Sequence, residues 1–132
     1  MLYRRHHQAL SPESALGEPV DRRTDIYALG CVAYFMLTGH NVFTGDSTLQ
    51  IVARHVSSAP TAPSRHSGFD VSPALDQVVL ACLEKDPSNR PGTARELCDR
   101  LGQCEVEGRW TRGDARNWWE TKMEPEKAVA LV

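Results

Sequence analysis

What this chain lacks narrows its chemistry before any motif is read. Its four cysteines, Cys31, Cys82, Cys98 and Cys104, show no Cys-x-x-Cys spacing, so neither a zinc knuckle nor a dithiol redox motif is encoded. The first three fall on the apolar faces of predicted helices and read as reduced core thiols. His6, His7, His40, His55 and His66 are scattered without ligand spacing, and no metal site is expected from them. No apolar run reaches the about 20 residues that a bilayer crossing needs, so no membrane segment is predicted. The opening MLYRRHHQ leads into polar sequence instead of an apolar core, which argues against a signal peptide and makes the cytoplasm the expected compartment. Acidic and basic residues nearly cancel, 17 against 15, and Lys and Arg form no stripe. Nucleic acid is therefore not an expected partner.

What is present has the balance of one soluble domain, with 132 residues, 41% of them hydrophobic and 24% charged. The stretch TDIYALGCVAYFMLTG, Thr24 to Gly39, is apolar on every face of a 3.6-residue period, as in a helix at the centre of a protein. Thr24 is its candidate cap, Asp25 a candidate buried carboxylate in the first turn, and Gly39 its left-handed close, giving a central helix over about 25–37.

Other elements follow in order. Residues 1–9 read as a poorly ordered terminus. Ser11 and Pro12 open a single helical turn containing Glu13. Asp46 or Ser47 caps a helix with Leu49, Val52, Ala53 and Val56 on its inner stripe. A connection containing Pro60 and Pro63 leads to a helix opened by Ser72 and Pro73, whose inner face carries Leu75, Val78, Val79, Cys82 and Leu83. Thr93 and Glu96 form a capping box before a helix with the stripe Ala94, Leu97, Cys98 and Leu101. The tail, 104–132, concentrates all three tryptophans, with Thr111 and Asp114 as candidate caps of a short helix carrying Trp118 and Trp119. Tryptophans are costly to leave in water, so docking on the same domain, or on a partner, is expected. The fold class is mainly α, with four main helices around a buried central helix plus a short Trp-rich C-terminal helix.

The pieces SPE, GEPVDRRTDIYALGCVAYFMLTG, F-TGDS and LEKDPSNRP resemble, in order and spacing, the second half of a eukaryotic-like serine/threonine protein kinase of the kind common in bacteria. The resemblance covers about 10–103 and implies a kinase-like C-lobe. Ser11-Pro12-Glu13 looks like the Ala-Pro-Glu that closes the activation segment, and the resemblance pairs Glu13 with Arg90. Asp25 resembles the aspartate that braces the catalytic loop, although a plain N-terminal acid also fits that position. Phosphoryl transfer in this family needs a glycine-rich loop, a strand lysine, an HRD loop with its asparagine and a DFG aspartate, and none of these strings occurs here.

The resemblance thus implies a kinase part with no catalytic, cofactor-binding or metal-binding residue of its own, ATP and magnesium belonging to the intact family. A protein partner or the missing N-terminal half would complete it. The alternative is a non-catalytic interaction module, with Leu49, Val52, Trp118 and Trp119 as its docking surface. With the covering half missing, some of Ile26, Leu29, Val32 and Val42 are expected to face water, leaving a helical but weakly cooperative domain.

Overall fold

The computed structural model describes residues 6–105, 108 and 110–122. Its α-helices are α1 (Pro12–Ala15), α2 (Arg22–Thr38), α3 (Thr48–Ser57), α4 (Pro73–Cys82), α5 (Ala94–Gly102) and α6 (Arg112–Lys122). Short 3-10 turns lie at His6–Ala9, Pro63–Arg65 and Pro87–Asn89. The described part of the segment read as an irregular N-terminus is thus a 3-10 turn packed against α2 and α3; residues 1–5 lie outside the described set. No described helix is long and apolar enough to cross a membrane.

Local chemistry sets the helix ends. Ser11 accepts from the Ser14 amide at 3.3 Å and Pro12 fills the first position of α1. The α2 helix begins three residues earlier than the sequence reading placed it, because Asp21 and not Thr24 is the cap, accepting from the Arg23 amide at 2.8 Å. Thr24 is engaged elsewhere, donating its hydroxyl hydrogen to Glu13. Gly39, at φ 71°, closes α2 and bonds the Phe35 carbonyl. Ser47, Ser72 and Thr93 cap α3, α4 and α5. The expected capping box at α5 is modified, since the Glu96 carboxylate takes the Gly92 amide at 2.8 Å.

Packing runs along one side of α2. Tyr27, Cys31 and Tyr34 join Val42, Phe43, Val79 and Leu83 in one core cluster, while Ile26, Val78, Cys82 and Leu97 form a second. The α2–α4 contact is close at Gly30, where an added Cβ would stand 2.7 Å from the Cys82 Cβ. Among the described residues the opposite side of α2 is largely uncovered: Leu29, Val32, Phe35 and Met36 are all exposed, Met36 by 75%, with Gln8 and Ala9 bordering Val32 and Phe35 at one edge. Of the four residues expected to face water, Leu29 and Val32 do, whereas Ile26 and Val42 are buried.

Three packing expectations are corrected. On α3 the buried residue is His55, while Leu49 is 79% exposed and Ala53 is exposed. The inward face is rotated because His55 has a hydroxyl waiting for it in the core. On α5 only Leu97 is buried, and Cys98 and Leu101 face solvent, one buried position sufficing for a nine-residue helix at the rim. Trp110, before α6, and Trp118 and Trp119 on it are exposed rather than docked on the domain, and α6 buries none of its residues.

Candidate functional site

Among the described residues the Arg90 side chain is the most extensively hydrogen-bonded. It projects from the turn after Pro87–Asn89, and its guanidinium meets the Glu13 carboxylate of α1 in a bidentate pair, Nη1 to Oε1 at 2.7 Å and Nη2 to Oε2 at 2.8 Å. Both side chains are buried, at 0% and 4% exposure. The remaining donors find carbonyls: Nε reaches Glu84 at 2.7 Å, Nη1 reaches Arg23 at 3.0 Å and Nη2 reaches Lys85 at 3.1 Å. A guanidinium has five N–H donors, and here all are used. Thr24 adds a hydroxyl donor to Glu13 at 2.8 Å, and the Tyr27 ring lies 4.9 Å from the guanidinium carbon. The Arg90 hydrogen bonds hold the Glu13 carboxyl at a pKa of about 2 against the desolvation that would raise it. One side chain thus fastens α1, the start of α2 and the loop after α4.

Beside this pair lies a second buried polar contact that sequence reasoning missed. His55 is fully buried, with Nδ1 2.7 Å from the Tyr27 hydroxyl and its ring edge-on to Phe43. Burial, helped by the nearby Lys85 charge, lowers its pKa to about 4. The Lys85 amine donates to the His55 carbonyl at 2.8 Å and lies over the Phe43 ring at 4.6 Å. It covers the carbonyl end of α3, and burial lowers its pKa to about 8. The signal available in sequence was Ile51 and His55 at i, i+4, a pairing hidden by the stronger-looking Leu49 stripe.

Asp25 is exposed, contrary to its reading as a buried carboxylate, and its side chain has no hydrogen-bond partner among the described residues. It stands at the head of the bare stripe Asp25, Leu29, Val32 and Met36, spaced i, i+4, i+7 and i+11. Val52 is half-buried and Leu49 exposed on α3. Trp118 and Trp119 meet each other edge to face at 5.2 Å on α6. No described group of three His, Cys, Asp or Glu side chains is placed to hold a metal.

A helical scaffold in which a buried arginine locks a Ser-Pro-Glu turn to an Asp-Pro-x-x-Arg turn beneath a central helix defines the helical lobe of a protein kinase. Comparison agrees: residues 7–101 match the protein kinase domain model. Over 90 residues the chain is 52% identical to the serine/threonine-protein kinase PknB of Mycolicibacterium smegmatis, covering 68% of this chain and 14% of that protein. The Mycobacterium tuberculosis PknB is likewise 52% identical over 91 residues. A probable PknB of Corynebacterium glutamicum is 40% identical over 124 residues, covering 91% of this chain and 19% of its own length. The chain belongs to the protein kinase family and carries the helical, C-terminal part of that domain. It spans only 14% of the length of the mycobacterial relatives.

Proposed function

We propose that this chain is the structural half of a bacterial serine/threonine protein kinase catalytic domain, inactive alone and dependent on an N-terminal half for ATP, magnesium and phosphoryl transfer. The carrying observation is the pairing of the fully satisfied Glu13–Arg90 lock with a bare apolar face on α2. The lock holds the lobe together, while Asp25, Leu29, Val32, Phe35 and Met36 line a largely exposed surface, with Gln8 and Ala9 beside Val32 and Phe35 at one edge. In this reading the catalytic loop of the other half rests on that face and Asp25 braces it. The domain occupies 10–103, with a separate tail at 104–132. Four free thiols, two of them buried, support a cytoplasmic setting.

Purified chain is expected to turn over ATP only at background, since positioning and electrostatic stabilisation supply nearly all the catalysis of this reaction and the groups that do so are not in this sequence. Mixing with a separately made N-terminal half should restore nucleotide binding. Turnover by the chain alone overturns the proposal. Reading the codons upstream of Met1 in all frames for HRD and DFG tests it independently.

A second reading, a protein-interaction module, draws on the exposure of Leu49, Trp118 and Trp119. It predicts a defined partner whose binding is lost in the Trp118→Ala, Trp119→Ala double variant.

A further inference from the structure

The C-terminal end of α2 gathers two imidazoles that neither the lock nor the bare face uses. His40 follows the closing Gly39, and its backbone is pinned by Thr38, whose hydroxyl accepts from the His40 amide at 3.0 Å and also contacts the Tyr34 carbonyl at 2.8 Å. His66 comes from the Pro60–Pro63 connection, distant in sequence. Its amide bonds the Pro63 carbonyl at 2.9 Å, and that turn is tied to α4 by the Ser64 amide on the Asp76 carboxylate at 2.9 Å. The Tyr34 hydroxyl then fixes the His66 ring through Nδ1 at 2.9 Å. The two exposed rings face each other edge-on with centroids 6.0 Å apart.

That separation suits a shared ion. An imidazole bound at about 2.1 Å holds its ring centre about 3 Å from the metal, so two on one ion at tetrahedral or wider angles lie about 5–6 Å apart. When His66 Nδ1–H donates to the tyrosine oxygen, Nε2 presents its lone pair outward, the arrangement in which an outer-shell partner orients a histidine ligand. Electrostatics favour a cation as well. The last turn of the 17-residue α2 contains no basic side chain, so the negative end of its dipole, beside His40, has no cation of its own helix. We propose that His40 and His66 form a surface site for a divalent transition-metal ion of the zinc or copper(II) class, completed by water, which staples the 57–72 connection to the end of α2. With two protein ligands it is an open, exchangeable site, unlike the closed four-ligand structural kind.

The test uses the full chain without an affinity tag. Zinc chloride titrated into it calorimetrically should bind and should shift the imidazole NMR signals of His40 and His66 together, with His66 bound through Nε2 and its Nδ1 still protonated. His40→Ala and His66→Ala, both exposed positions, should each weaken that binding at least tenfold with unchanged circular dichroism. The His6→Ala, His7→Ala double variant should bind as the parent does. Absence of binding, zinc shifts confined to other histidines, or affinity that survives either His40→Ala or His66→Ala overturns the proposal.

Discussion

Glu13 and His55 are buried titratable residues that make acid sensitivity a property of named side chains. Glu13 has a folded pKa of about 2 against an ordinary value of 4.5, so its contribution is complete above the ordinary value and is lost as pH falls toward 2. The difference is worth about 3 kcal/mol at neutral pH. His55 shifts downward too, from 6.5 to about 4. Its unfolded form therefore gains a proton that the folded form refuses, and stability falls between about pH 6.5 and 4, again by about 3 kcal/mol. Urea melts across pH should show two successive acid losses, His55 first. The His55→Phe variant should flatten the upper loss and keep the lower one. Replacing Arg90 by Met leaves Glu13 buried without its charge partner and should cost about 3–5 kcal/mol, more than Asp21→Ala, which loses the α2 cap at about 0.5–2 kcal/mol and a solvent-exposed pair with Arg23 that adds little.

Helices read well from sequence where their signals were local, and poorly where a tertiary partner decided. The openings of α1 and α4 were legible because Ser-Pro dictates a cap and first residue. The start of α2 was misjudged because two side chains with capping chemistry, Asp21 and Thr24, lie within a turn of each other, and only the fold shows Thr24 committed to Glu13. The inward face of α3 was misread for the same kind of reason, since a histidine outranks Leu49 for burial only when a buried tyrosine hydroxyl awaits it. Of the candidate site, residue identities were visible at Glu13 and Arg90 through family resemblance. The three carbonyls that saturate the guanidinium could not be seen without the fold. The α2–α4 contact yields a sharp prediction: Gly30→Ala drives a methyl to 2.7 Å from the Cys82 Cβ and 3.2 Å from Leu83 Cδ2. This overpacking should cost about 1–3 kcal/mol in a chemical melt, although alanine is the better helix former.

Taken whole, the molecule is a half-covered helix carrying its own lock. Its core gathers on one side of α2, and the apolar residues Leu29, Val32, Phe35 and Met36 on the other side are exposed to water, so folding gains little burial from that face. The isolated chain should melt broadly and bind a hydrophobic dye such as ANS in its native state. Adding an N-terminal kinase half should sharpen the melt and suppress the dye signal. The bare face can be separated from the core by the double change Val32→Glu, Met36→Lys. Neither side chain belongs to the buried core, Val32 being 50% and Met36 75% exposed, so helicity should be kept, the urea midpoint of the isolated lobe should change little and dye binding should drop. The same variant should fail to assemble with the N-terminal half, since the added charges would be trapped without partners on complex formation. If it assembles as well as the parent, α2 is not the seat of the other half. If it unfolds instead, the exposed stripe is part of this lobe's own packing.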